Sequence, residues 1–377
     1  MKTNLYLDQL GIISSLGFGI KKTQINLKLK PNIQPFSLDN LVSLPISQTN
    51  QQASADKAFV LADLVMKDIW EKLPATFFNR YKAVLLTGCT KGELQFIANN
   101  VIEKKITDFL NSDISANAIN KKLSLKYRVP FIPVSSAACA TGAQTLQKAQ
   151  LIFNKKNIDK IFLCMTEASL TKEMISAFYQ LGVLTNQPNG TAPFHSDHYG
   201  FHMGEGATAF LISPSKNSNS FGKILGVATA TDAFHFTSFP DGPKKVWKTI
   251  NDLCHQCNIS IKDIDHVNLH ATGTAANDEM ELALAKLIIN ENNDVSFSAF
   301  KPFTGHLLGA SGLIEFALCL LCAQNNWFPP ILNCNNASNL PSQFILEPKG
   351  RKKEIKKFIS LSYGLGSTIG VILGEKL

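Results

Sequence analysis

No stretch of this sequence stays apolar for the roughly 18 consecutive residues that mark a membrane-spanning helix. The first twenty residues lack the layout of a secretory signal peptide, because Asp8 interrupts them and no cleavage-type segment follows. The eight cysteines are scattered through apolar stretches and show no spacing typical of a disulfide framework. We therefore expect no membrane span, and we expect a reducing, cytoplasmic compartment.

Charge of one sign is not abundant either. The chain has 37 Lys plus Arg against 29 Asp plus Glu, a formal net charge of +8. No known nucleic-acid module is present, nor a basic stripe interleaved with aromatics, so we expect no nucleic-acid partner. The mild excess of positive charge favours encounter with acidic partners, a class that includes small acidic carrier proteins.

What the sequence does contain is a repeated alternation of strand and helix patterns. "DKAFVLADLVMKDIWEKL" has apolar residues at helical spacing, and "YKAVLLTGC" is typical of a buried strand. A polar stretch, "SPSKNSNS", begins at residue 213, and a similar order of elements follows it. The 377 residues therefore predict an α/β fold made of two similar halves, residues 1–213 and 214–377.

A cysteine stands where a predicted strand, residues 129–136, leads into a predicted helix. In "VPFIPVSSAACATGAQTLQKAQ" this residue is Cys139. The first N–H groups and the dipole of a helix stabilise a thiolate, so this placement predicts a lowered pKa of the Cys139 thiol. A buried cysteine is more often structural, and Cys139 alone does not decide between the two roles.

Two histidines also stand at predicted element ends. His270 follows a buried strand in "HVNLHATGTAAND", and His306 stands in the glycine-rich "FKPFTGHLLGASG". A histidine in a loop at a strand end can donate a hydrogen bond or carry a proton. One cysteine and two histidines at element ends are the ingredients of a nucleophile site.

Taken together, the segments resemble the β-ketoacyl-acyl carrier protein synthases. "SSAACATGA", "GFHMGEGATAFLI", "DAFHFTSFP", "HATGTAANDEME", "KPFTGHLLGASG" and "SYGLGSTIG" follow the order and spacing of that family's motifs, and "LGIISSLG" is similar to its opening strand. The resemblance covers nearly the whole chain. It implies a thiolase-like fold, two α/β halves in a five-layered α-β-α-β-α core, with the cysteine in the first half and both histidines in the second.

The resemblance also implies a role for each matching residue. Cys139 takes an acyl group as a thioester, and His270 and His306 promote decarboxylation of a malonyl thioester. The resulting carbanion extends the acyl group by two carbons to a β-ketoacyl product. Lys301 supports the site, with Glu315 in the same network.

Further roles follow from the same resemblance. The backbone N–H groups of Cys139 and Leu365 form the oxyanion hole. Thr272, Thr274 and Thr237 contact the phosphopantetheine arm of acyl carrier protein. No metal or other cofactor is implied. The implied partners are acyl carrier protein and a second synthase chain, in a homodimer or a heterodimer, in fatty-acid, polyketide or polyene biosynthesis.

Several positions depart from the family pattern. Leu365 replaces a phenylalanine that gates access to the cysteine, Ile369 replaces an asparagine, and "HYGF" stands for "RDGF". The region between Gly88 and Cys139, which helps to form the dimer interface, is shorter than usual.

Related classes of the family differ from this sequence at defined positions. A thiolase needs a second cysteine in a C-terminal turn, and an initiating synthase has asparagine where His306 stands, so the elongating class is favoured over both. The alternative that stays open is a non-catalytic partner subunit similar to a chain-length factor.

Three other clusters have simpler interpretations. His195, His198 and His202 have spacings that metal ligands on a helix can have, but the segment contains Gly200 and matches a family loop, which favours a structural role. Cys254 and Cys257 lack a second ligand pair and fit helix packing. The basic residues 351–357 fit a solvated hairpin or turn, and a contact with the carrier protein there remains open.

Overall fold

The computed structural model describes residues 4–29, 36–38, 41–44, 57–92, 116–155, 157–187, 190–232, 242–334 and 339–377. The strands are β1 Leu5–Ser14, β2 Gly17–Phe18, β3 Phe36–Leu38, β4 Leu41–Leu44, β5 Ala83–Gly88, β6 Lys160–Glu167, β7 Met203–Gly204, β8 Gly206–Ser213, β9 Gly222–Thr231, β10 His266–Asn268, β11 Ser296–Ser298, β12 Trp327–Phe328, β13 Arg351–Lys352, β14 Lys357–Gly364 and β15 Thr368–Lys376. The helices are α1 Ile20–Leu29, α2 Lys57–Trp70, α3 Phe77–Arg80, α4 Ala116–Tyr127, α5 Thr141–Lys155, α6 Lys172–Gln180, α7 Lys244–Gln256, α8 Ala275–Glu291, α9 Lys301–Thr304 and α10 Ser311–Gln324.

One large mixed sheet runs through the molecule in the order β11-β10-β14-β15-β9-β1-β8-β6-β5. Strands β5, β6 and β8 are buried at every position, which their nearly continuous apolar sequences predict for strands covered on both faces. The two sides of the sheet meet where Leu5–Leu7 of β1 pair antiparallel with Gly222–Ile224 of β9.

The two halves of the sheet repeat one topology. β1 pairs antiparallel with β8, β8 antiparallel with β6, and β6 parallel with β5. In the second half, β9 pairs antiparallel with β15, β15 antiparallel with β14, and β14 parallel with β10. The α/β class and the duplicated arrangement expected from the sequence are therefore present. β8 ends at Ser213 and β9 begins at Gly222, while the division into domains at residue 213 stays a prediction.

Helices cover and separate the two halves of the sheet. On the outer side of the first half lie α2 and α4, and on the outer side of the second lie α7 and α8. Between the halves, α5 packs against α10, and both contact strands of each half. Ser311–Ala323 of α10 is buried at every position, as its almost wholly apolar sequence requires of a central helix. These layers form the predicted α-β-α-β-α core.

The strand expected over residues 129–136 is much shorter in the structure. Only Phe131 pairs with Leu85 of β5, through Leu85 N–H to the Pro130 carbonyl and Ile132 N–H to the Leu85 carbonyl. Pro130 and Pro133 have no N–H to donate, so the ladder cannot continue along this edge. The prediction of a full strand is wrong for that reason.

Among the described residues, no helix is long and apolar enough to cross a membrane.

Candidate active site

Cys139 lies in a tight turn just before α5. Ala138 has a left-handed backbone with φ 47°, an uncommon conformation for a residue with a side chain. Thr141 holds the turn closed: its Oγ1 donates to the Ala138 carbonyl at 2.6 Å and accepts from Ala137 N–H at 2.9 Å. The turn brings the buried Cys139 to the start of the helix, as the sequence predicts.

The turn between β14 and β15 comes close to the backbone of Cys139. A Cβ placed on Gly364 would lie 3.0 Å from the Cys139 amide nitrogen and 2.4 Å from Thr368 Oγ1, so only glycine fits there. Leu365, the next residue, lines the same pocket as Cys139. The two amides proposed for the oxyanion hole therefore belong to adjacent turns.

His306 is the nearest titratable group to the cysteine. Its Nε2 lies 3.2 Å from Cys139 Sγ, and its Nδ1 lies 2.9 Å from Ser311 Oγ. The edge of the ring contacts Phe201, with centroids 4.8 Å apart. The backbone is held at both ends, because His306 N–H donates to the His202 carbonyl and the His306 carbonyl accepts from Gly204 N–H.

His270 faces His306 across the pocket, with ring centroids 5.2 Å apart. It follows β10, and its N–H donates to Glu281 Oε1 at 2.6 Å. Ala271 N–H donates to the other oxygen of the same carboxyl at 2.7 Å, which stabilises the left-handed backbone of Ala271, φ 49°. Tyr363 packs against the other side of the His270 ring, with centroids 5.3 Å apart.

Lys301 and Glu315 form a buried ion pair beneath these residues. Lys301 Nζ donates to Glu315 Oε1 at 2.6 Å, and both side chains are fully buried. The second carboxyl oxygen of Glu315 accepts from Asn268 Nδ2 at 3.0 Å. The sequence placed Lys301 and Glu315 in one network, and the structure has them in direct contact.

Burial controls the protonation of the cysteine. It raises the pKa of the Cys139 thiol to about 12, and the positive charge of Lys301 opposes the shift only in part. The lowered thiol pKa expected from the helix start is therefore wrong for this pocket. Desolvation outweighs the attraction of the Lys301 charge, so Cys139 is held as a thiol.

Both histidines are neutral for a related reason. Burial lowers the pKa of His270 and of His306 well below the usual value, and the charge of Lys301 lowers each further. A neutral imidazole has one N–H donor and one acceptor nitrogen, so each ring can donate a single hydrogen bond to a group in the pocket.

One pocket that is open to solvent contains most of the predicted site residues. Thr272 and Thr274 lie on its wall, with their hydroxyl oxygens 3.0 Å apart. Its lining comprises Cys139, Phe178, Val183, Phe201, His270, Thr272, Thr274, Asn277, His306, Tyr363, Gly364, Leu365 and Ser367. Thr237, also predicted to contact the carrier arm, lies outside the described residues.

The three other clusters singled out in the sequence do not join this pocket. His195 and His198 interact with different carboxylates, at 3.8 Å to Asp197 and 3.6 Å to Asp278. Cys254 is buried in an apolar core with Val246, Ile250 and Leu253, as helix packing predicts.

The basic residues 351–357 are more structured than a solvated turn. Arg351 and Lys352 form β13, and Lys353 Nζ donates to the carbonyls of Asp265 and Asp294.

Several residues of the site were not assigned a role from the sequence. Asp278 accepts from the N–H groups of Gly273 and Phe194, at 3.2 and 2.7 Å, and Glu281 holds the turn after His270. Both stand in the motif "NDEME", where acidic residues early in a helix already indicated backbone N–H partners. Ser311 gave no such signal, since its contact with His306 depends on a turn between them.

The fold defines the class of protein first. A chain of a type II polyketide synthase complex, in which the acyl carrier protein is bound to its ketosynthase, aligns with a TM-score of 0.84 at 18% identity, covering 100% of both chains. A chain of the complex between the ketosynthase ApeO and its chain length factor ApeC, from Xenorhabdus doucetiae, aligns with a TM-score of 0.83 at 19% identity, covering 100% of this chain and 98% of that one. The fold is the thiolase-like fold of ketosynthases.

Sequence comparison then defines the family. Residues 69–218 match the family described as "Beta-ketoacyl synthase, N-terminal domain", and residues 221–335 match "Beta-ketoacyl synthase, C-terminal domain". The chain belongs to the β-ketoacyl synthase family, a family of condensing acyltransferases, as the resemblance predicted.

Two relatives in this family show how similar its sequences are to this chain. The 3-oxoacyl-[acyl-carrier-protein] synthase 2 of Coxiella burnetii is 24% identical over 99% of this chain and 98% of its own length. The protein of the same name from Rhizobium meliloti is 29% identical over 61% of this chain, and that match spans 57% of the Rhizobium protein.

Proposed function

We propose that this protein joins an acyl thioester to malonyl-acyl carrier protein with loss of carbon dioxide, and that Cys139 holds the acyl group. The observation that carries the proposal is one pocket in which Cys139 Sγ lies 3.2 Å from His306 Nε2, with His270 facing His306. A thiol nucleophile with two neutral imidazoles at an open pocket suits acyl transfer followed by stabilisation of an enolate.

The first step is acyl transfer to the cysteine. The sulfur of Cys139 attacks the thioester carbonyl carbon, a new thioester bond forms, and the bond to the carrier sulfur breaks. The proton of the Cys139 thiol ends on the departing sulfur, which leaves as the carrier thiol. The backbone N–H groups of Cys139 and Leu365 hold the negative charge of the tetrahedral intermediate.

The second step forms the carbon–carbon bond. The malonyl carboxylate leaves as carbon dioxide, and its electron pair becomes the enolate of the donor thioester. N–H donors of His270 and His306 hold the enolate oxygen. The enolate carbon attacks the acyl carbonyl on Cys139, the bond to Cys139 breaks, and the sulfur takes up one proton to regenerate the thiol.

The carrier arm enters along the wall that contains Thr272 and Thr274. Their hydroxyls face one another at 3.0 Å and can hydrogen-bond the amide groups of a phosphopantetheine chain. The proposed partner is acyl carrier protein, supported by the structural neighbour solved with its own carrier protein. In this proposal the carrier's phosphopantetheine supplies the substrates, and the chemistry uses no further cofactor.

The assembly is proposed to be a homodimer, or a heterodimer with a second synthase-like chain, in the cytoplasm. The complex of ApeO with its chain length factor supports the second arrangement. It also keeps the alternative function, a partner subunit without catalysis, as an outcome that experiment must decide.

Intact mass after incubation with acyl-loaded carrier protein tests the nucleophile. We expect a gain equal to the acyl group in the wild type and in Cys164→Ala, which removes a fully buried cysteine of β6. Cys139→Ala should show no gain. No gain in the wild type across a range of acyl lengths would refute the proposal and favour the partner-subunit function.

Decarboxylation of malonyl-carrier, followed as released carbon dioxide, tests the histidines separately. His270→Ala and His306→Ala should each lose decarboxylation by a larger factor than they lose acylation of Cys139. Equal losses in both assays would contradict the roles proposed for the two rings.

A further inference from the structure

Ser311 occupies an unusual place between the active-site turn and the central helix. It is the first residue of α10 and is fully buried. Its Oγ lies 2.9 Å from His306 Nδ1 and 2.8 Å from the backbone nitrogen of Leu307. In the part of the chain that the structure describes, these two nitrogens are the hydrogen-bond partners of the hydroxyl.

The protons of this small network can be assigned from chemistry. The backbone N–H of Leu307 can only donate, so the Ser311 oxygen accepts from it. A hydroxyl has one proton of its own, and the remaining neighbour is His306 Nδ1. When Nδ1 is unprotonated and accepts a hydrogen bond from the hydroxyl, every donor of the network has an acceptor. If Nδ1 carried a proton instead, the buried hydroxyl would have no acceptor for its own proton, which costs free energy.

We propose that Ser311 is a positioning residue that holds His306 as the tautomer protonated at Nε2. Because Nε2 faces Cys139 Sγ at 3.2 Å, this tautomer presents an N–H donor to the sulfur and to the donor thioester that enters the pocket. Ser311 itself touches no reacting atom in this arrangement. The inference deepens the proposed function and rests on it for its kinetic consequence alone.

The surroundings of the ring support a neutral His306. Lys301, which is paired with Glu315, disfavours a second positive charge on the ring. Phe201 covers one edge of the ring, and His270 faces it across the pocket. The two ring nitrogens therefore differ in their contacts, since Nδ1 meets the Ser311 hydroxyl and Nε2 meets the Cys139 sulfur.

The tautomer can be measured without any substrate. Protein labelled with ¹⁵N in its histidines is examined by long-range ¹H–¹⁵N correlation, and the His306 signals are assigned by their loss in His306→Ala. We expect Nε2 to be protonated and Nδ1 unprotonated in the wild type. Ser311→Ala should give averaged signals for a mixture of tautomers. Ser362→Ala removes a buried hydroxyl of β14 that has no hydrogen-bond partner among the described residues, and it should leave the spectrum unchanged.

A proton on Nδ1 in the wild type, or protons on both nitrogens, would overturn the assignment. So would a Ser311→Ala spectrum identical to that of the wild type. These outcomes are independent of activity, so they separate a wrong tautomer from a wrong proposed function.

The kinetic readout follows only if the intact-mass test succeeds. Ser311→Ala should then reduce decarboxylation about tenfold, the effect of losing roughly one hydrogen bond. Acylation of Cys139 should fall less, and circular dichroism should match that of Ser362→Ala. An equal fall in both steps would overturn the positioning role.

Discussion

Lys301 and Glu315 are linked by a hydrogen bond of 2.6 Å, and neither side chain has any exposed surface. The lysine carries the positive charge that acts on Cys139, His270 and His306 alike. The glutamate keeps that charge in place, and Asn268 satisfies its second oxygen. Burial is the main cause of the protonation states in the pocket, and this pair, which lies outside the pocket, modifies them.

Breaking this pair should unfold the protein more easily. In Lys301→Met the carboxyl of Glu315 loses its cation while still buried, and we expect a loss of about 3–5 kcal/mol in the free energy of unfolding. Urea denaturation at pH 7 measures it. The double variant Lys301→Met/Glu315→Leu should be more stable than Lys301→Met alone. Strictly additive losses would contradict the idea that the unpaired charge is the cause.

Alkylation of Cys139 should report its raised thiol pKa. Only the thiolate reacts, and burial raises the pKa to about 12, so the rate with iodoacetamide should rise about tenfold per pH unit between pH 7 and 9. Peptide mass spectrometry identifies the modified residue, with Cys139→Ala as the blank. A rate that levels off below pH 9 would show instead that the helix start dominates.

Glu281 should make stability depend on pH. Burial raises its pKa from 4.5 to about 7, although it accepts the N–H groups of His270 and Ala271. Because the folded state binds this proton more tightly than the unfolded state, the stabilising contribution is complete below pH 4.5. It is lost as the pH rises towards 7.

Glu281→Gln tests this dependence, since glutamine does not titrate. Its NH₂ group also places a donor against a backbone N–H, which is itself a donor. We therefore expect a loss of about 1–3 kcal/mol in the free energy of unfolding. Urea denaturation at pH 5 and pH 8 should show the larger loss at pH 5. Glu279→Gln, at an exposed position of the same helix, should show neither effect. A larger loss at pH 8 would contradict the direction of the shift.

Gly364→Ala should impair the cysteine through the backbone. The added Cβ would lie 2.4 Å from Thr368 Oγ1 and 3.0 Å from the Cys139 nitrogen, so the turn must move. We expect a loss of about 1–3 kcal/mol in stability and a lower rate of acylation in the intact-mass assay.

Gly366→Ala is the matched control in the same turn. Within the described part of the chain, a Cβ there meets nothing within 4 Å, so we expect its cost to come from φ 83°. It should lose about 1 kcal/mol in stability while acylation continues. If acylation fell equally in both variants, the close approach to Cys139 would not be the reason.

Local sequence patterns were sufficient for much of the fold. The helix Lys57–Trp70 follows from apolar residues at helical spacing, and the strand β5 follows from a continuous apolar stretch. The full strand predicted over residues 129–136 is wrong. The segment is apolar, but Pro130 and Pro133 limit its hydrogen bonds to a neighbouring strand.

The residues of the site could also be predicted only in part from local sequence. Motifs identified Cys139, His270, His306, Lys301 and Glu315, since residue types at element ends can be read locally. Their roles stay predictions. The direction of the thiol pKa was wrong, because desolvation depends on everything packed around Cys139 and no local pattern records it.

The sequence by itself determined the alternation of elements, the family and the identity of the reactive groups, because each is written in short segments. Tertiary structure alone decided the distances between those segments. It brings Cys139 into contact with His306, which is 167 residues away in the chain. It also packs Gly364 against the turn that contains Cys139, and it places the Ser311 hydroxyl next to Nδ1 of His306. Protonation in the pocket depends on these contacts, since burial and fixed hydrogen bonds act over a few ångströms in space and not along the chain.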